Sequence, residues 1–168
     1  GDATLVTDLR RHMLAAMRQS PVFVRELYGI DQDHNVALNW LGFLKRETSE
    51  YEQPGVINLK MRGTLPLVEG ARLLSVMAGI NATSTTARLA ALASAGVLQK
   101  DEVETLVDSF RTLVGLLLAH QIGDARAKLP LTDYVVHEKL SGRDKSRLRR
   151  ALREIEKFRA ELSGRLGV

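Results

Sequence analysis

Arg72 and Arg88 are the residues of this chain best suited to bind an anion, because each stands on a segment with helical spacing. Two guanidinium groups brought together form a fork that fits phosphate or carboxylate. The stretch around them is rich in polar groups: Asn58, Lys60, Arg62, Glu69, Asn81, Thr83, Thr85 and Thr86 all fall between positions 58 and 88. Glu69 and Arg72 lie three apart on one helix and can pair on its surface, so the cluster also reads as an ion-pair network bracing two helices. His120-Gln121 closes a strongly apolar helical run. There the imidazole either meets the last carbonyls of the helix or faces a ligand.

The remaining chemistry is mostly excluded. His12, His34, His120 and His137 form no His-x-x-x-His or Glu-x-x-His pair, so no local metal site is expected. Asp31-Gln32-Asp33-His34-Asn35 resembles the start of a calcium loop, but Val36 stands where glycine is needed and Gly42 where a bidentate glutamate is needed. It is expected to form a turn and helix cap. There is no Gly-rich phosphate loop and no Gly-x-Ser-x-Gly. Phosphoryl or nucleotidyl transfer needs carboxylates that hold magnesium, and the one Asp-x-Asp pair, Asp31 and Asp33, has no Gly-Ser turn before it. A catalytic centre within the chain is therefore not expected.

Composition narrows the class further. With 168 residues the chain can bury one core, and 45% hydrophobic against 26% charged residues is the balance of a globular domain. Aromatics are 5%, so the apolar mass is Leu, Ala and Val, which suits helices packed on helices. The absence of cysteine excludes disulfides and thiolate chemistry and fits a reducing, cytoplasmic setting. The longest apolar run, 113–119, is far short of the roughly 20 residues that cross a bilayer. The net charge of +4 gathers between Arg143 and Arg165. A basic helix face can be a phosphate footprint, yet no aromatic interleaving or recognition motif accompanies it, which favours a solvated face over nucleic-acid binding.

Apolar periodicity supplies the elements that would position these residues. Leu5, Leu9, Met13 and Met17 form a stripe on a first helix, Asp2 to Gln19. Ser20-Pro21 opens a second helix that Gly29 ends, and a third is expected from Asp33 to Glu47. Residues 48–55, with Pro54-Gly55, read as a loop, and 56–64 fit no single pattern. Helices follow from Pro66 to Ala78, from Asn81 to Ala95 behind Thr83 and Ser84, and from Asp101 to Gln121 behind a capping box with Glu104. A mixed connection runs from Gly123 to Val136. Ser141 caps a last helix whose core face is Leu148, Leu152, Ile155, Phe158, Leu162 and Leu166. The expected fold is all-α: one domain over 1–168, an irregular antiparallel bundle of about seven helices.

Four motifs in order carry a family resemblance: Asn58-Leu59-Lys60, Pro66-Leu67-Val68-Glu69, Ala71-Arg72-Leu73-Leu74 and Thr85-Thr86-Ala87-Arg88-Leu89. Together with Gly96-Val97-Leu98, Leu118-Ala119-His120-Gln121 and Leu140-Ser141, they resemble the putative nucleotidyltransferase substrate-binding domain family. Asn58 stands where that family has Asp, Leu117 and Leu118 where an Arg often precedes His-Gln, and Phe158 where Gln is common.

The resemblance implies a non-catalytic, C-terminal piece of a longer bacterial signalling protein. Its upstream nucleotidyltransferase domain would be similar to that of the PII uridylyltransferases, often with cyclic-nucleotide-binding and CBS domains further upstream. Magnesium and a nucleoside triphosphate are implied for that catalytic domain and no cofactor for this chain. Lys60, Arg62, Glu69, Arg72, Thr85, Arg88, His120 and Gln121 become the expected substrate-binding residues. The rival expectation is a helical module that forms a homodimer or relays a signal, using surplus apolar surface on the Asp101 to Gln121 helix.

Overall fold

The computed structural model describes residues 3–31, 35–39, 42–46 and 55–166. Among these, seven α-helices and one small sheet confirm a mostly α-helical fold. The helices are α1 (Ala3–Arg18), α2 (Pro21–Asp31), α3 (Leu65–Met77), α4 (Thr85–Ser94), α5 (Lys100–Arg126), α6 (Gly142–Ala160) and α7 (Leu162–Leu166). None is long and apolar enough to cross a membrane. Strands β1 (Val56–Asn58) and β2 (Tyr134–Val136) pair antiparallel, with Val56 opposite Val136 and Asn58 opposite Tyr134.

The chain divides into two compact units. One takes residues 1–33, 68–104 and 161–168, and the other 34–67 and 105–160. In the first unit, glycine closes two helices in the same way. Gly79 and Gly96 adopt positive φ, of 69° and 72°. Ile80 N donates to Ser75 O and Val97 N to Leu92 O, so the terminal carbonyls are satisfied by the turn itself. Ser84 caps the start of α4, its Oγ accepting from Ala87 N at 3.2 Å. The buried residues of this unit are chiefly Leu73, Leu74, Leu89, Leu92, Leu98, Leu162 and Leu166. Arg165 ties its C-terminal segment down: the guanidinium donates to Glu102 Oε1 (2.8 Å), Glu161 Oε2 (2.5 Å) and Val97 O (3.3 Å). Burial opposes the charge, but the hydrogen bonds to Glu161 and Glu102 prevail and hold it above its usual range.

In the second unit, the periodicity of α6 predicts the buried face well, since Leu148, Leu152 and Ile155 are fully buried and Phe158 nearly so. Ser141 Oγ accepts from Asp144 N and donates to its carboxylate, starting the helix. Residues 56–64, which fit no single pattern in the sequence, become β1 and a π-helical turn, Lys60–Thr64. Asn58 Oδ1 accepts from Met61 N at 2.9 Å, which satisfies a backbone donor of the first turn. Gly63 lies within that turn, where an added Cβ would make only ordinary contacts with Leu113 and Leu152, at 3.4 and 3.9 Å. Buried Arg159 donates to Pro66 O at the start of α3.

Several expectations are corrected. The third helix does not form over its described part: Leu38 pairs with Leu44 as an isolated antiparallel bridge, around a turn with Gly42 at φ 74°. Asn39 Oδ1 accepts from Phe43 N, a local bond that competes with helix formation. Asp33, Trp40 and Glu47 lie outside the described residues, as do 48–54 of the expected loop and the middle of the calcium-like stretch. Helix α2 continues through Gly29 to Asp31. Helix α5 runs five residues past Gln121, through Gly123 to Arg126. On α1 the apolar stripe is not in the core, because Leu5, Leu9 and Met13 are 68%, 62% and 50% exposed.

Candidate functional site

The expected site residues fall into two sets, one in each unit. Lys60, Arg62, His120 and Gln121 belong to the second unit, and Glu69, Arg72, Thr85 and Arg88 to the first.

In the second unit three of the four converge on one loop. His120 and Gln121 project from α5 toward Thr132 and Asp133, which lead into β2. His120 Nε2 lies 3.1 Å from Thr132 Oγ1 and 3.3 Å from Asp124 Oδ2. His120 and Asp124 are four apart on α5, which places their side chains on one face. Asp124 in turn accepts from Thr132 N at 3.3 Å. Gln121 Nε2 donates to Asp133 Oδ1 at 3.1 Å and to Thr132 O at 3.4 Å. Lys60 Nζ, from the π-helical turn, lies 3.5 Å from Asp133 Oδ2. Arg62 is half-buried on the same turn, and its carbonyl accepts from Ala37 N.

This network has a clear local origin. Helix α5 ends in a turn where Leu129 N donates to Asp124 O, with Lys128 at φ 54° in the conformation glycine usually fills. The turn reverses the chain along α5, and the polar residues of the last two turns then hold the returning segment. Leu59 N donates to Asp133 O, joining the same loop to the end of β1. His120 thus lies inside α5 and bonds a side chain of the following loop, not the last carbonyls of the helix.

The arrangement positions a cation beside a carboxylate at the surface. The Lys60 and Asp133 side chains are 61% and 28% exposed. A pair this exposed contributes little to stability, about 0–1 kcal/mol, so Lys60 can turn to an incoming anion at small cost. Among the described residues no group of three or more His, Asp or Glu could hold a metal ion.

In the first unit Arg72 is exposed on α3, Glu69 is half-buried on the same helix, and Thr85 is half-buried in the first turn of α4. Arg88 Nε donates to Ala82 O at 3.1 Å, fixing the turn that precedes α4. At least part of this guanidinium therefore has a structural task.

Asp124, Thr132 and Asp133 were not singled out from the sequence. The spacing of His120 and Asp124 is visible there, but a helix expected to stop near Gln121 hides that they share a face. Nothing in the sequence marks Thr132 and Asp133, because they meet α5 only through the reversal at Lys128.

Residues 21–166 match the family model described as putative nucleotidyltransferase substrate binding domain. No curated protein and no solved structure matches the chain. The match takes in every candidate residue of both sets and everything described from α2 to α7. The chain belongs to the nucleotidyltransferase substrate-binding domain family.

Proposed function

We propose that this chain is the non-catalytic substrate-binding part of a nucleotidyltransferase whose catalytic domain lies upstream in the same polypeptide. The observation that carries the reading is the family match over 21–166. Magnesium and the nucleoside triphosphate belong to the catalytic domain, where carboxylates would hold the metal beside the phosphates. The role of this chain is to bind and orient. In the second unit, Lys60 and Arg62 offer cationic groups on a short turn braced by His120, Gln121, Thr132 and Asp133. In the first, Arg72 projects from α3, while Arg88 and Thr85 shape the start of α4 and Glu69 flanks Arg72.

The setting is a bacterial signalling protein of the cytoplasm, with a catalytic domain similar to that of the PII uridylyltransferases and cyclic-nucleotide-binding and CBS domains further upstream. The test is nucleotidyl transfer by the longer polypeptide carrying Lys60→Ala or Arg72→Ala. Both residues are exposed, so the fold is expected to persist. Loss of substrate affinity with an unchanged melting temperature supports the reading; unchanged affinity and rate in both variants defeat it.

A second reading, helical dimerisation or signal relay, is favoured by a different observation. Leu5, Val6, Leu9 and Met13 on α1 and Val22 on α2 are each at least half exposed. Isolated exposed leucines are ordinary, but a helical stripe of them suits a partner. Sedimentation across a concentration series tests it, and a strict monomer at high concentration counts against it.

A further inference from the structure

Helix α6 carries basic residues that the candidate site does not use. Ser146, Arg149, Arg150, Arg153 and Glu154 together line a cleft of about 370 Å³. They come from one face of the helix: Ser146 lies three and four residues before Arg149 and Arg150, and Arg153 four and three after them, which stacks their side chains along successive turns. All belong to the second unit.

Three features distinguish this cleft from a solvated charged face. Arg149 Nε is buried and has no hydrogen-bond partner. A buried, unmatched guanidinium nitrogen is costly, and a ligand that draws the Arg149 side chain into the cleft would relieve that cost. Among the described residues, no ion pair or side-chain hydrogen bond holds Arg149, Arg150 or Arg153, although Glu154 lines the same space. Elsewhere in this unit Arg46 is engaged with Glu138, Lys60 with Asp133, Lys145 with Glu138 O and Arg159 with Pro66 O. Arg153 also lies near the Gly42 turn, its Nε 3.7 Å from where a Cβ of that residue would stand.

We infer that this cleft binds the phosphate groups of a small phosphorylated ligand. Among the described lining residues, three guanidinium groups against one carboxylate leave an excess of two positive charges, which matches a di- or trianion better than a single carboxylate. The volume exceeds that of one phosphate and lies at the small end of ligand pockets, so a second phosphate or a nucleoside can enter. Ser146 Oγ already donates to Gly142 O at 3.1 Å, so the arginines and not the hydroxyl are the principal donors. Its lining includes none of the Lys60 and Arg72 sets, and the inference does not rest on the proposed function.

The test is calorimetric titration of the 168-residue chain with pyrophosphate and with ADP, in buffered chloride at fixed ionic strength, without added metal. Saturable binding of pyrophosphate is expected, with a rise in melting temperature. Arg150→Ala with Arg153→Ala, at two exposed positions, should weaken it at least tenfold with the circular dichroism spectrum unchanged. Glu154→Gln should tighten it about threefold, a gain that a purely structural role for the arginines does not give. Equal affinities for pyrophosphate and ADP assign recognition to phosphate alone. Tighter ADP binding that is still lost in the double variant adds the nucleoside, and supports the site equally. The inference is overturned if pyrophosphate fails to bind at millimolar concentration, if the arginine variants bind it normally, or if a single-stranded oligonucleotide binds more tightly than either small ligand.

Discussion

His120 Nε2 and Thr132 Oγ1 lie 3.1 Å apart, joining the penultimate turns of α5 to the loop that returns to β2. Asp124 stands beside both, so removing any one of the three leaves the other two with poorer partners. His120→Ala is expected to cost about 1 kcal/mol of stability, the net worth of one side-chain hydrogen bond with partial burial of the groups left behind. Faster amide exchange at 129–133 should accompany it. Both are read from urea unfolding and hydrogen exchange, and an unchanged exchange pattern would show that the loop is held elsewhere.

Lys128 sits at φ 54° at the end of α5, where L side chains are strained. Lys128→Gly removes the strain without disturbing the turn that Leu129 N and Asp124 O close. The expected gain is about 1 kcal/mol, because the same position suits glycine in Gly79 and Gly96. A loss of stability in chemical denaturation would mean that the lysine side chain makes a compensating contact.

Much of the framework was legible in the sequence, and the reasons are particular. Leu148, Leu152, Ile155 and Phe158 announce the buried face of α6 because their spacing follows the helix repeat. Gly79 and Gly96 mark helix ends because only glycine adopts that conformation without cost. The expected helix from Asp33 failed because Asn39 and Gly42 make local turn bonds that periodicity does not register. Exposure of the α1 stripe was hidden for another reason: amphipathic spacing says that a face is apolar, not that this chain covers it. For the candidate site, the basic residues were visible, but their partners Thr132 and Asp133 arrive through the chain reversal after α5.

Glu138 pairs with Arg46 across the second unit. A hydrogen bond from its own backbone holds its carboxyl below the ordinary 4.5 against the opposing effect of burial, and the Arg46 guanidinium and nearby His137 add to the lowering. A depressed carboxylate pKa stabilises the fold above the unfolded value and loses that contribution as pH falls through the folded one. The stability difference between the native chain and Glu138→Gln should therefore be constant from pH 7 to about 5 and shrink below 4.5. Denaturant midpoints at successive pH values check this, and a difference that widens on acidification would contradict it.

Arg165 concentrates three bonds on one half-buried guanidinium, to Glu102, Glu161 and Val97 O. Arg165→Met keeps the aliphatic stem and leaves Glu102 without its partner. A loss of about 1–3 kcal/mol is expected, larger than for an exposed pair because both side chains are three-quarters or more buried. Thermal unfolding measures it. A loss under 0.5 kcal/mol, on the order expected for a surface pair, would mean that water replaces these bonds freely.

On the proposed function, this chain supplies substrate affinity, and not catalysis, to a nucleotidyltransferase. Steady-state transfer kinetics of the longer polypeptide test it most directly, comparing the native protein with Lys60→Ala and Arg72→Ala. At least one variant is expected to raise KM about tenfold, on the order of 1.4 kcal/mol of lost binding, with kcat and melting temperature little changed. Native KM in both variants, or a collapse of kcat at unchanged KM, would contradict it.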